Sequence, residues 1–212
     1  MSLSNYIKSC DKNVGGNKLL FLAEMRYIND VIITNGEVSE IQLLTGQAFY
    51  QIQTDYDSIV RLEDKEGLLP VSYKHQIDFD VSKLSVAVND LTNNMRWCSS
   101  CGLVAIVVDN NNVPWLVGWN YISWHNRGLF LEGAEYNFGS VIETGNLSDF
   151  SLVSRNECID LPLDADLTNY ILSRVEASLG IPAVLEFTGV DSITIDRTDI
   201  TIDSIDVSID SI

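Results

Sequence analysis

The chain has 212 residues, of which 46% are hydrophobic, enough for a domain with a buried core and too many for wholesale disorder. Thirteen Lys and Arg stand against thirty Asp and Glu, a formal net charge of −17 at pH 7. That balance argues against a protein that grips nucleic acid or docks on anionic membranes, and it suits plain solubility or a surface that repels DNA. No apolar run reaches the roughly 18 residues of a transmembrane helix, and the first residues lack a secretory signal, so we expect synthesis in the cytoplasm and no membrane partner.

Strand patterns dominate the first eighty residues. Residues 19–23 and 31–34 are short apolar runs, and the second ends at the turn dipeptide Asn35-Gly36. Residues 47–54 are rich in aromatic and β-branched types, and apolar and polar residues alternate over 71–79. This alternation predicts one strand face that consists of Val71, Tyr73, His75, Ile77 and Phe79.

A polar stretch from Asp55 to Pro70 separates these last two segments. It is longer than the usual connection between elements, so we expect an exposed loop. Its acidic centre lacks the ordered oxygen spacing of an EF-hand, which favours a solvated loop over a calcium site. The charged residues at its centre are Glu63, Asp64, Lys65 and Glu66.

Two segments have helical spacing. The stronger one predicts a helix at about 82–96 and the weaker one a helix at 165–178. Apolar residues of the first recur at i, i+4, i+7 and i+11, namely Leu84, Val88, Leu91 and Met95.

The clearest hairpin begins at Gly102. Gly102–Asp109 is nearly continuously apolar, as is typical of a strand covered on both faces. Residues 110–112, all Asn, predict the turn, and Val113–Ile122 returns with Pro114 at its start. Further strands are predicted at 128–132, 136–143 and 149–155.

From Val190 onward the sequence repeats with a period of seven residues. Its apolar residues lie two apart, which favours strands over a coiled coil. We therefore predict a core domain of residues 1–180 and a β-extension of residues 181–212 that pairs with a neighbouring chain, with a solvated acidic tail as the alternative. The expected interface residues there are Ile195, Ile200, Ile202, Val207 and Ile209.

The segment Trp97–Cys101, with Cys98 and Cys101 as a Cys-x-x-Cys pair, is the sharpest catalytic candidate. In thioredoxin-like oxidoreductases a helix follows such a motif and lowers the pKa of the first thiol. Here the predicted helix precedes the motif, so we expect a solvent-shielded thiol pair that closes the corner between the helix and the next strand. Neither a nucleophile elbow nor a phosphate-binding loop occurs, and His75 and His125 lie far apart, so we expect no enzyme, metal or cofactor.

An aromatic cluster spans Trp115 to Trp124, and equal parity puts Trp115, Trp119 and Tyr121 on one strand face. Exposed, these rings stack sugars or bases; buried, they fill a core or a subunit interface. No basic residues interleave, which favours the core or interface and makes Trp115 and Trp119 candidate assembly residues. A carbohydrate- or protein-binding β-module remains the alternative.

The run Gly102–Asp109, the Asn-rich turn and Trp115–Asn120 together resemble a hairpin of tail-tube-like virion proteins of tailed bacteriophages, especially those infecting Bacteroidetes. Residues 5–10, the strand ending at 77–79 with the helix after it, and residues 160–164 fit the same pattern. The resemblance therefore covers most of residues 1–175, through stretches of pattern and without a catalytic signature.

The resemblance implies a mainly β (α+β) fold, an antiparallel β-sandwich or barrel with one flanking helix. It also implies homo-oligomers, with sheets joined edge to edge into hexameric rings that stack into a DNA conduit within the virion, in contact with other virion proteins. The loop at 55–70 would reach between rings, and a negative lumen would let DNA pass without tight binding. The repeat tail departs from this pattern and leaves head-to-tail joining or capsid decoration as alternatives.

Overall fold

The computed structural model describes residues 17–54, 59–65, 72–82, 86–120, 128–137, 147–156, 158–178, 181–187 and 189–190. Within these ranges the chain is mainly β with mostly antiparallel sheets, as in a β-rich α+β fold. The strands are β1 (Asn17–Glu24), β2 (Ile28–Thr34), β3 (Glu37–Leu44), β4 (Phe49–Ile52), β5 (Ile59–Lys65), β6 (Ser72–Ser82), β7 (Leu103–Asp109), β8 (Pro114–Val117), β9 (Phe130–Asn137), β10 (Leu147–Asn156), β11 (Leu161–Pro162), β12 (Val184–Leu185) and β13 (Gly189–Val190). The helices are α1 (Val86–Ser99) and α2 (Ala165–Ala177), and neither is long and apolar enough to cross a membrane.

A six-stranded sheet, ordered β11-β8-β7-β1-β4-β12, forms the centre of the fold. Six consecutive residues of β7 are buried, as its continuous apolar run predicts for a strand covered on both faces. Because successive side chains of a strand point to opposite faces, β1 and β7 each contribute to two separate cores.

The first core cluster joins one face of this sheet to β3 and α2. Its members include Phe21, Val104, Ile106 and Leu116 from the sheet, Val38, Ile41 and Leu43 from β3, and Ile171 from α2. The second core cluster joins the opposite face to β6, β10 and α1. Its members include Leu20, Ala105, Val107 and Val117 from the sheet, Ile77 and Phe79 from β6, Phe150 and Leu152 from β10, and Val88 and Met95 from α1.

The other two sheets follow several sequence predictions. In the four-stranded sheet, ordered β5-β6-β10-β9, the face of β6 predicted from alternation contains the buried residues His75, Ile77 and Phe79. In the three-stranded sheet, ordered β13-β3-β2, the predicted turn joins β2 to β3. Both turn residues have positive φ, 56° at Asn35 and 88° at Gly36, and Asn and Gly tolerate that conformation best.

The predicted loop between 55 and 70 is wrong for Ile59–Lys65, which forms β5. This strand pairs with β6 from Ile59 opposite Asp78 to Lys65 opposite Ser72. The many charged residues of this segment favoured a loop, although apolar residues alternate in it. Two of them, Val60 and Leu62, lie opposite the buried Ile77 and His75. Glu63, Asp64 and Lys65 therefore belong to a strand, whereas Glu66 lies outside the described residues.

Two helices are present: the resemblance implied one flanking helix, and the helical spacing at 165–178 correctly predicted the other. The first begins at Val86 and not near 82, because Ser82 is still the end of β6. Of its predicted stripe, Val88 and Met95 are buried and Leu91 is partly buried against the second core cluster, whereas Leu84 lies outside the described residues. The second begins at Ala165, where the Asp164 carboxylate accepts a hydrogen bond from the Leu167 N–H at 2.9 Å and thereby caps the helix.

Two short strands, β12 and β13, lie after residue 180, the predicted boundary between the core domain and the β-extension. β12 pairs with β4 in the central sheet and β13 pairs in parallel with β3. Ala183 and Leu185 are buried in the first core cluster, and Phe187 packs against it. The rest of the predicted extension, including Ile195, Ile200, Ile202, Val207 and Ile209, lies outside the described residues.

One strand, β9, runs from Phe130 to Asn137 where two strands were predicted at 128–132 and 136–143, and residues 138–143 lie outside the described residues. Its pairing with β10 shifts register between Ser151 and Leu152, which is a bulge in the ladder. The strand predicted at 149–155 lies within β10.

Candidate functional site

A pocket of about 340 Å³ opens on the central sheet beside β7 and β8. Strand pairing brings Val107 of β7 opposite Trp115 of β8, and the pocket lies on the face that carries the second core cluster. The segment before β11 supplies the remaining wall. The lining residues are Asn17, Val107, Asp109, Trp115, Val117, Ile159 and Asp160.

Trp115 and Trp119 do not share a face, contrary to the prediction from parity. Trp115 lines the pocket and is 36% exposed, whereas Trp119 packs against the first core cluster on the opposite side. The cause is Gly118, whose φ of +87° ends the alternation of β8. A Cβ there would lie 2.7 Å from Cγ of Leu129, so a side chain would be both strained and obstructed. Tyr121 and Trp124 lie outside the described residues.

The Asp160 carboxylate is held by a buried histidine. Nδ1 of His75 lies 2.6 Å from Oδ1 of Asp160, and the exposed fractions of the two side chains are 0% and 11%. An ionised carboxylate only accepts hydrogen bonds, so His75 donates its Nδ1–H. Two residues earlier, the buried thiol of Cys158 donates to Oδ1 of Asn120 at 2.8 Å. Residues 158–160 are thus anchored on both sides, and Asp160 is fixed at the pocket wall.

Ser154, His75 and Asp160 are the residue types of a nucleophile, a base and an orienting acid. The β6–β10 register places Ser154 directly opposite His75. Within the described part of the chain, however, neither the Ser154 hydroxyl nor Nε2 of His75 has a hydrogen-bond partner, and the two residues are 2% and 0% exposed. The geometry therefore does not present a nucleophile to a substrate, and its chemical effect is to position Asp160.

Sequence reasoning correctly put His75 on an inward strand face but missed its partner. Asp160 follows His75 by 85 residues, and no local pattern links the two positions. Only the tertiary fold brings them together.

The Cys-x-x-Cys motif lies at the C-terminal end of α1, where the helix dipole disfavours a thiolate. The thiol of Cys98 donates to Oε1 of Glu24 at 3.3 Å. Burial, and then this acidic neighbour, raise the pKa of Cys98 to about 11. Cys98 and the exposed Cys101 are both free thiols. These features oppose the activation that thiol redox chemistry requires, but the prediction that both thiols are shielded from solvent is wrong for Cys101.

The most exposed large apolar side chains lie on α1. Trp97 is 79% exposed and Val86 is 77% exposed. Eleven residues separate them, about three helical turns, so they lie on one side of the helix. Sequence reasoning missed Trp97 as a surface residue, although the stripe through Val88 and Met95 points away from position 97.

A second exposed apolar group lies at the β4–β12 edge of the central sheet. Tyr50 and Val184 form a cross-strand pair and are 55% and 41% exposed, and the nearby Ile181 is 71% exposed.

The structure does not bring the predicted site residues together. Trp115 lines the pocket, Trp119 packs against the first core cluster, and Glu63, Asp64 and Lys65 lie on an outer strand of another sheet.

The four-stranded sheet has two outer strands. Among the described residues, β5 pairs only with β6 and β9 pairs only with β10. Leu129, just before β9, forms an isolated bridge to Leu103 of the central sheet. No further strand of the described chain pairs with the outer side of β5 or of β9, and α1 contacts β9.

A scan against protein-family models finds no match for this chain. Searches of curated proteins and of solved structures find no match either.

Proposed function

We propose that the chain is a structural virion subunit that self-assembles into hexameric rings of a phage tail tube or a similar DNA conduit. The observation that carries this proposal is the four-stranded sheet, whose two outer strands, β5 and β9, lie at opposite edges. An exposed strand edge offers unpaired backbone N–H and C=O groups to another chain. A contact between β5 of one copy and β9 of the next is heterologous, and its repetition closes a ring when the rotation allows.

The charged residues on these two edges favour a specific contact between copies and disfavour random aggregation. β5 carries Arg61, Glu63, Asp64 and Lys65 within seven residues. β9 carries Glu132 and Glu135, both exposed, and its pairing with β10 contains a bulge. Charged residues and bulges protect natural strand edges, and opposite charges across two edges select one register.

The packing is compatible with the proposed tail-tube-like sandwich. The central sheet and the four-stranded sheet contribute to one shared cluster, the second core cluster, and α1 flanks it. The net charge of −17 suits a conduit through which DNA passes without tight binding. Six-fold symmetry, the virion location and contacts with other virion proteins derive from the sequence resemblance alone. Head-to-tail joining and capsid decoration would use the same edges.

The alternative of a β-module with an aromatic platform has less support. Such a platform needs aromatic rings on one surface, and Trp115 and Trp119 lie on opposite faces of the central sheet.

Cross-linking through the two edges tests the proposal. In a Cys10→Ser, Cys101→Ser background, which leaves the partly buried Cys98 and the buried Cys158 as native cysteines, Arg61→Cys in β5 is combined with Glu135→Cys in β9, and the purified protein is oxidised. We expect a ladder of covalent oligomers on a non-reducing gel that ends at the ring size, and rings in negative-stain micrographs. The sixth step of the ladder would be the last for a hexamer.

Three controls make the result specific. Each single-cysteine variant should stop at a dimer, because one new thiol joins only two chains. Arg61→Cys combined with Asp166→Cys on the exposed side of α2 should give no ladder. A protein that stays monomeric over a wide concentration range, with no ladder from the β5–β9 pair, would contradict the proposal.

A further inference from the structure

We propose that the pocket beside Trp115 binds an organic cation with an apolar stem, such as an alkylguanidinium or an alkylammonium ion. The proposal goes beyond assembly and does not depend on it.

The sign of the charge comes from the residues that line the pocket. Its two ionisable groups among the described residues are the carboxylates of Asp109 and Asp160. No Lys or Arg of the described chain lines it, and the nearest base in sequence, Lys18, donates to Oδ1 of Asn112. An anionic ligand would meet repulsion from both carboxylates, whereas a cation is attracted to both.

Both carboxylates are held in place before a ligand arrives. Oδ1 of Asp109 accepts hydrogen bonds from the N–H groups of Asn111 and Val113 at 2.8 and 2.9 Å, and its Oδ2 accepts from the Asn111 side chain at 3.4 Å. Oδ1 of Asp160 accepts from His75, and an ionised carboxylate with one such bond retains further acceptor sites. A cation therefore finds a fixed negative charge with acceptor capacity left over, which lowers the cost of ordering the site.

The remaining walls select an apolar stem. Val107, Val117 and Ile159 offer aliphatic surface, and a volume of about 340 Å³ lies at the small end of ligand pockets. Trp115 adds an aromatic face, the side chain that attracts cations most strongly within about 6 Å of the ring centre. An inorganic cation would leave these walls unused, and a neutral alkane would leave the carboxylates unused.

The buried histidine behind Asp160 is the second sign of a built site. Nε2 of His75 is buried without a hydrogen-bond partner in the described chain, an arrangement that costs folding free energy. A phenylalanine would fill such a space without that cost. The imidazole, unlike a phenylalanine ring, has an Nδ1–H group that holds Asp160 at the pocket wall.

Calorimetric titration of the full chain with n-butylguanidinium chloride, at constant ionic strength, tests the proposal. We expect saturable one-site binding, and weaker binding of guanidinium, which lacks the stem, and of n-butanol, which lacks the charge. Asp160→Asn should weaken the binding of n-butylguanidinium by about tenfold or more, since it removes a charge-assisted contact. The matched control, Asp149→Asn on the exposed side of β10, should leave the affinity unchanged.

A second variant covers the case in which Asp160→Asn does not fold. Ile159 is 45% exposed, so Ile159→Ser should fold and should reduce the preference for n-butylguanidinium over guanidinium. Equal affinities in the wild type, Asp160→Asn and Ile159→Ser would overturn the proposal, as would binding that does not saturate.

Sedimentation in the presence of n-butylguanidinium identifies the source of the cation. If the ion shifts self-association in the wild type but not in Asp160→Asn, the natural occupant is a Lys or Arg side chain of a neighbouring copy. If self-association does not respond while binding saturates, the occupant is a free small molecule. Failure of the β5–β9 cross-linking test would leave either result standing.

Discussion

The two faces of the central sheet are built differently. On the first face, β3 and α2 close an apolar cluster of buried side chains. The second face carries the apolar cluster that includes α1. It also has buried polar residues, His75 and Ser154, and an open pocket lined in part by Asp160. The contrast indicates that the first face supplies stability without interruption, whereas the second also accommodates buried polar atoms. Four predictions test this contrast, in order of decreasing effect.

The largest effect is expected on the first face. Ile106 is 0% exposed within the first core cluster, so Ile106→Ala should cost about 2–5 kcal/mol of unfolding free energy through lost burial and a residual cavity. Urea denaturation measures the cost. Val86→Ala on the exposed side of α1 is the control and should stay within about 0.5 kcal/mol of the wild type. Similar values for the two variants would refute the assignment of the first face as the stabilising one.

A smaller loss is expected where the second face is polar. Asp160→Ala removes the acceptor of the buried Nδ1–H of His75 and should cost about 1–3 kcal/mol. Asp160→Asn retains a carbonyl acceptor and should cost less. The same urea titration compares the two. Equal losses from both substitutions would mean that the hydrogen bond to His75 is not the cause.

Ser154→Ala should change stability little and in the opposite direction. Its hydroxyl is buried without a hydrogen-bond partner in the described chain, so the substitution removes a desolvated polar atom. We expect a gain of up to about 1 kcal/mol. Ser173→Ala on the exposed side of α2 serves as the comparison. A loss of 1 kcal/mol or more at position 154 would show that the hydroxyl has a partner after all.

The smallest effect concerns Cys98, which packs against the second core cluster. Its pKa is raised from 9.0 to about 11, first by burial and then by Glu24, so the neutral thiol is favoured in the folded state. The resulting contribution to stability is present below pH 9 and is lost as the pH rises toward 11. Glu24→Gln should lower the pKa of Cys98 only in part, because burial remains.

The rate of alkylation of Cys98 by iodoacetamide between pH 7 and 11, followed by mass spectrometry, measures this pKa. The rate should rise with a midpoint near 11 in the wild type and at a lower pH in Glu24→Gln. A wild-type midpoint near 9 would show that burial does not protect this thiol.

Much of the fold was predictable wherever local pattern and final environment agree. Local pattern predicted which residues of three elements face the core: the alternation in β6, the apolar run of β7 and the stripe on α1. It also predicted the Asn35-Gly36 turn, where both residues have positive φ. β5 was not predicted because charged residues are typical both of an outer strand and of a loop, so the composition of Ile59–Lys65 did not distinguish the two. β12 was missed because two residues carry no period, and only pairing with β4 makes them a strand.

The candidate site was far less predictable. The sequence pointed to Trp115, but the Asp160–His75 pair depends on the approach of residues 85 positions apart. Gly118 explains the other failure: its positive φ ends the alternation of β8, so Trp119 lies against the opposite core, and counting odd and even positions cannot reveal this.

The pairing of β12 with β4 has a consequence for the order in which the chain folds. Leu185 closes the first core cluster beside Phe49, which the ribosome synthesises 136 residues earlier. During synthesis, β4 therefore cannot pair with β12 until residues 184–185 have left the ribosome, and its apolar side chains on that side stay exposed to solvent until then. Sheets with such distant pairings fold slowly, in milliseconds to seconds, and expose strand edges meanwhile.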